Sequence, residues 1–97
     1  MAKDPLVRLQ DWYLANCDGE WEHKYGVTIE SLDNPGWRVT IDLTGTPLDG
    51  RDFEDVEIVR NDRDWLDCHV QDTKFVAGCG PRNLPELLTT FLDWAGA

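Results

Sequence analysis

Between Tyr25 and Gly80 the chain keeps returning to a two-residue period, and that period constrains its fold more than any other feature. "WRVTIDL" places Trp37, Val39, Ile41 and Leu43 on one side and Arg38, Thr40 and Asp42 on the other, and "YGVTIESL" sets Tyr25, Val27 and Ile29 against Thr28 and Glu30. A strand with one dry face and one wet face produces this repeat. Between the two segments, "DNPG" (Asp33 to Gly36) suits a hairpin turn: Asp and Asn bond to nearby backbone, Pro presets φ, and Gly tolerates positive φ. Downstream, "FEDVEIVR" offers Val56 and Ile58 to the core, and Asn61 to Arg63 turn the chain. "DWLDCHVQ" then points Leu66, Cys68 and Val70 inward and leaves Trp65, Asp67 and His69 on the opposite face. "KFVAGCG", closed by glycines and Pro81, reads as a last strand.

Helical patterns bracket these strands. Asp4 and Pro5 fit the cap and first position of a helix whose spacing implies a stripe of Leu6, Leu9, Tyr13 and Cys17, with Gly19 as a stop. At the other end Asn83 and Glu86 form a variant capping box ahead of Leu84, Leu87, Leu88, Phe91 and Leu92, which predicts a helix from about Leu84 to Ala95. The expected fold class is α+β. It is an antiparallel four- or five-stranded meander sheet with an N-terminal and a C-terminal helix packed on one face, the other face left wet. With 97 residues and no Ser/Gly-rich or Pro-rich linker, residues 1–97 read as a single domain.

Nineteen acidic against nine basic residues give a formal net charge of -10, and ten of those acids but only three of the bases fall between Asp42 and Asp72. Such a field repels phosphate backbones and anionic lipid and attracts basic partners, so neither direct nucleic-acid binding nor membrane binding is expected. "MAKDPLVRLQDWYLANC" lacks the apolar core of a signal peptide, and no apolar run approaches the roughly 20 residues that span a bilayer. A cytoplasmic location is therefore expected. Cys17, Cys68 and Cys79, odd in number and widely spaced, read as free thiols, mostly buried.

The chemistry-bearing residues do not assemble into a known catalytic pattern. His23, His69 and the cysteines lack zinc-ligand spacing, the aspartates lack calcium-loop spacing, and no nucleophile elbow, P-loop or dinucleotide-binding glycine motif occurs. No metal, cofactor or catalytic residue is assigned, and the chain is not read as an enzyme. One alternative stays open: "CDGEWEHKYG" concentrates Glu20, Glu22 and His23, which a small hydrolase or ligand-binding domain could use. Otherwise Gly19 to Tyr25 is a loop anchored by Trp21 and Tyr25, with those three polar groups available at its surface. Of the five tryptophans, Trp37 and Trp94 are explained by packing. Trp65 shares the open face with Glu30, Asp42, Glu57, Asp67 and His69, an aromatic ringed by charge of the kind found at contact hot spots, unless it covers an edge strand.

"WY" at Trp12 and Tyr13, "CDGEWEH" at Cys17 to His23, "LDNPGW" at Leu32 to Trp37 and the closing "GCGPRNLPELLTTFLDW" together resemble the immunity protein 53 family of bacterial polymorphic toxin systems, over most of the chain from Leu9 to Trp94. The resemblance implies a small cytoplasmic protein that binds a cognate toxin domain and blocks it in the producing cell and its kin. It identifies no contact residue by itself. The charge agrees with a basic toxin, such as a nuclease, held stoichiometrically. From the residues, the candidate toxin-binding set is Glu20, Glu22, His23, Glu30, Asp42, Glu57, Trp65, Asp67 and His69.

Overall fold

A computed structural model describes residues 4–97. Helix α1 (Pro5–Asn16) begins where Asp4 Oδ1 accepts the Leu6 N–H at 2.7 Å, with Pro5 in the first turn. A single turn, α2 (Trp21–Lys24), precedes strands β1 (Val27–Leu32) and β2 (Gly36–Asp42); then come β3 (Val56–Asn61), β4 (Asp64–Gln71), β5 (Lys74–Cys79) and helix α3 (Leu84–Ala95). Gly96, at φ 74°, closes α3 in the left-handed conformation that glycine adopts without a Cβ clash.

All strand pairs are antiparallel, in the order β1-β2-β5-β4-β3, so the α+β architecture with five strands in meander-like order is present. A hairpin (β1, β2) and a three-strand meander (β3, β4, β5) are joined through β2 and β5. The long connection after β2 carries the chain to the far edge, which leaves room beside β2 for β5. This connection also contributes to the core. Leu48 is buried, the Thr46 hydroxyl donates to the Leu43 carbonyl at 2.8 Å, and Phe53 lies edge-on to Phe75 and Trp94.

Pairing register defines the two faces. Val39, Ala77 and Cys68 lie side by side across β2, β5 and β4, as do Ile41, Phe75 and Val70. These residues join Leu9, Trp12, Leu87, Leu88, Phe91 and Leu92 in one apolar cluster, which places both long helices on the same face. Phe91 is its hub, with its ring 5.0 Å from those of both Trp12 and Phe75. Burial pushes the thiols of Cys68 and Cys79 up to about 12 and about 11, and all three cysteines are free.

Three local expectations are revised. The buried stripe of α1 is Leu9 and Trp12, whereas Leu6 is 54% and Tyr13 38% exposed, because α3 meets the helix on its Trp12 side. The segment expected as a loop from Gly19 to Tyr25 contains the helical turn α2; Trp21 is buried and its indole N–H donates to the Thr44 carbonyl at 3.0 Å, but Tyr25 is exposed and does not anchor it. The Asn83 side chain does not cap α3. Its N–H bonds to the Gly80 carbonyl, and this turn swings the amide toward β4, where Oδ1 accepts the Trp65 N–H at 3.4 Å and Nδ2 donates to Asp64 at 2.9 Å and Glu86 at 3.2 Å. Arg60 completes the latch, 2.8 Å from Asp64 and 2.9 Å from Glu86, so the start of α3 is tied to the β3–β4 hairpin.

Candidate protein-binding face

The sheet face away from the long helices carries Glu30, Asp42, Glu57, Trp65, Asp67 and His69 together, because each alternates with a residue of the opposite face on its strand. One row crosses all five strands in the order Glu57, Asp67, Gly78, Arg38, Glu30. A second sets His69 beside Val76, Thr40 and Thr28, and a third sets Gln71 beside Lys74 and Asp42. Glu30, Glu57 and Asp67 are exposed, whereas Trp65, His69 and Asp42 are half-buried.

Glycine at 78 makes room for the aromatic group. A Cβ there would lie 3.3 Å from both Cη2 and Cζ3 of Trp65, so the indole reaches across from β4 and rests where β5 has no side chain. Next to it, Glu57 and Asp67 stand directly opposite each other in register. Like charges in that position are mutually repulsive, and a cation arriving from outside relieves the repulsion. Arg38 does little to neutralise the row: its guanidinium is 3.8 Å from Glu30 with both side chains more than half exposed. Asp42 is turned inward to its own loop and accepts the Thr44 N–H at 3.0 Å.

Sequence reasoning missed Val59, Val76 and Gly78 on this face. Val59 is 75% exposed beside Trp65, so the patch is partly apolar as well as acidic. The alternation of β3 was a usable signal for Val59; nothing in the sequence indicated the room that Gly78 provides.

Glu20, Glu22 and His23 are not brought together with that set. The Glu22 carboxylate accepts the Asp18 and Gly19 N–H groups at 3.0 and 2.9 Å, while Asp18 accepts those of Glu20 and Trp21, both at 2.9 Å. Backbone N–H groups therefore hold both carboxyls below their ordinary range, the Trp21 bond contributing most at Asp18 and Glu22's own N–H most at Glu22. An acid held ionised in a turn is suited to fixing that turn, not to donating a proton. Glu20 and His23 are exposed. The end of α2 does border the open face, since Lys24, Tyr25 and Gly26 line a shallow cleft with Thr28, Asp42 and Lys74. Among the described residues no group of three or more His, Cys, Asp or Glu side chains converges as a metal site requires, and no helix is long and apolar enough to cross a membrane.

Comparison with family models matches residues 6–96 to immunity protein 53. The chain belongs to the immunity protein 53 family. That match spans nearly everything described above, from the first turn of α1 to the cap of α3, so the open face and the latch both lie within the family's domain. Searches of curated proteins and of solved structures gave no match.

Proposed function

We propose that this immunity protein 53 family member neutralises a cognate toxin domain by stoichiometric binding through the open face of its sheet. The observation that carries the reading is that one sheet face is free of the long helices and displays a half-buried Trp65 seated over Gly78 beside the opposed carboxylates of Glu57 and Asp67. A large aromatic group fixed in position by its own scaffold loses little freedom on binding, and acids flanking it select a basic surface. The partner that fits is a basic toxin domain, a nuclease being one such class, because an acidic protein can occupy a cleft that normally receives phosphates. The formal charge of -10 speeds the encounter, while Trp65, Val59 and Val76 provide the desolvated contacts that charge alone does not. Inhibition of this kind needs no catalytic group or cofactor and takes place in the cytoplasm of the producing cell.

Co-expression with the toxin encoded beside the gene tests this directly. Growth is restored by the wild-type chain, a 1:1 complex is recovered, and its association rate falls as salt rises. Failure of rescue, or association indifferent to salt, contradicts the proposal.

A further inference from the structure

The acidic excess has one local reversal. A cleft of about 710 Å³ at the end of the sheet is lined by Arg60, Arg63 and Arg82 with Asn61, Asp64 and Asn83, so three of the chain's nine basic residues share one hollow. The three arginines differ in their state. Arg60 is held by Asp64 and Glu86 and forms a fixed wall. Arg63, in the β3–β4 turn, and Arg82, in the loop before α3, are exposed, and neither side chain has a hydrogen-bond or ion-pair partner among the described residues. Their backbone is well anchored: the Arg63 N–H donates to Asn61 Oδ1 at 2.9 Å, and Gly80 and Asn83 bracket Arg82 through a bond of 3.1 Å.

We propose that this cleft is a carboxylate-binding site, in which the Arg63 and Arg82 guanidinium groups grip an Asp or Glu side chain presented by the bound protein partner. Guanidinium groups match planar carboxylates through paired charge-assisted hydrogen bonds. A single acid on an otherwise basic surface suits the surroundings, because a polyanionic strand entering here would run into Glu57, Asp67 and the rest of the acidic sheet. The location suits it too. Asp64 in the cleft wall precedes Trp65 on β4 but points the other way, to Arg60 and Asn83, so a protein seated on Trp65 reaches the cleft by extending over the β3–β4 turn that carries Arg63. The partner's identity as a toxin rests on the reading above; the ability of the cleft to bind a carboxylate does not. An acidic inhibitor with one basic clasp also gains orientation, since a partner rotated on the open face would lose that grip.

Two measurements separate these levels. First, the full chain is titrated at low salt with the blocked peptide Ac-Lys-Glu-Lys-NH2 and, separately, with inorganic phosphate, while the arginine side-chain Nε–Hε NMR signals are followed. Saturable shifts of Arg63 and Arg82 with the peptide are expected, and the accompanying shift of Arg60, which lines the same cleft, should be lost in the folded Arg63→Gln/Arg82→Gln variant. No saturable shift, shifts that survive in the variant, or shifts with phosphate alone overturn the assignment. Second, binding of the toxin encoded alongside is compared for the wild type and the double variant. Removing positive charge from an acidic protein speeds its association with a basic partner, so a purely long-range effect tightens binding. A carboxylate clasp instead gives dissociation faster by about tenfold or more, the scale of one charge-assisted hydrogen bond. Equal or tighter binding by the variant overturns the proposal, whereas a wild-type chain that does not bind that toxin refutes the immunity reading and leaves the peptide titration to decide the cleft.

Discussion

Replacing Gly80 by alanine tests how the open face is held in place. Gly80 lies between β5 and α3; its N–H donates to the Trp65 carbonyl at 3.0 Å and its carbonyl accepts the Asn83 N–H at 3.1 Å. A Cβ at this position would collide with the Arg63 backbone carbonyl and come within 2.6 Å of Asn83 Oδ1. The first obstacle is backbone within a hairpin turn and the second belongs to the latch, so neither yields without moving a secondary-structure element. Overpacking of this kind costs about 1–3 kcal/mol, and disturbing the buried Asn83 places the expected loss near the top of that range, about 2–3 kcal/mol. For a chain of this size that lowers the melting temperature by roughly 8–20 °C. Gly78→Ala is the matched control. Its tight contact is with the Trp65 ring at 3.3 Å, a half-buried side chain that can tilt by a few tenths of an ångström, while the Trp37 carbonyl at 3.7 Å is in ordinary van der Waals contact, and strand propensity favours Ala over Gly by about 0.5–1 kcal/mol. Gly78→Ala should therefore stay within about 1 kcal/mol of the wild type. Urea unfolding followed by far-UV circular dichroism measures both variants. A Gly80→Ala protein as stable as the wild type, or a Gly78→Ala protein less stable than Gly80→Ala, would refute the packing argument.

Thiol accessibility gives a second check: with Cys68 and Cys79 fully buried and their thiols raised to about 12 and about 11, a thiol reagent at neutral pH should modify Cys17 alone until the chain is unfolded, and three rapid equivalents in the native state would contradict the core. Acid should weaken the latch, because bonds from Asn83 and Arg60 lower the Asp64 pKa and bonds from Arg60 and Asn83 lower that of Glu86. Carboxyls depressed on folding contribute stability above their unfolded values of 3.8 and 4.5 and lose it as pH falls through the folded ones, so Asp64→Asn/Glu86→Gln should show a shallower loss of stability below about pH 4.5 than the wild type. An unchanged pH profile would separate these carboxyls from stability. The β4–β5 turn places Asp72 and Thr73 at φ 54° and 61°, a conformation that suits Asn-Gly far better than a β-branched residue. Asp72→Asn/Thr73→Gly should raise stability by about 1 kcal/mol in a urea titration, and a loss would show that the Thr73 side chain makes a contact worth more than the strain.

Much of the fold was legible because the informative patterns are local. The alternation of β2 and β4 and the stripe of α3 survive unchanged in the structure, with Val39, Ile41, Leu66, Cys68, Phe91 and Leu92 all buried. What was not legible depends on neighbours distant in the chain. Trp12 and Tyr13 are adjacent aromatics on one helix, and only the position of α3 decides which of them turns inward. Asn83 has the sequence of a cap, yet Asp64 and Trp65, far back in the chain, take its side chain. Insertion of β5 beside β2 likewise depends on a long connection whose core residues, Leu48 and Phe53, are set among Gly, Asp and Thr with no helical or strand period. The composition of the open face followed from strand parity, but its relief did not: Gly78 looked like a strand terminator and is the seat of Trp65. The cleft of Arg60, Arg63 and Arg82 was invisible because the third arginine arrives from a separate loop.

One comparison of dissociation constants tests whether the open sheet face is the side that binds a toxin domain. Trp65→Ala, shown to be folded by circular dichroism, and Leu14→Lys, at a 70% exposed site on α1, are each titrated against a toxin domain that the wild-type chain neutralises in co-expression. Trp65→Ala should bind at least about 30-fold more weakly, the effect of losing a contact of 2 kcal/mol or more, while Leu14→Lys binds as the wild type does. Undiminished affinity in Trp65→Ala, together with a large loss in Leu14→Lys, would place the interface on the helical side and rule out binding through the open face.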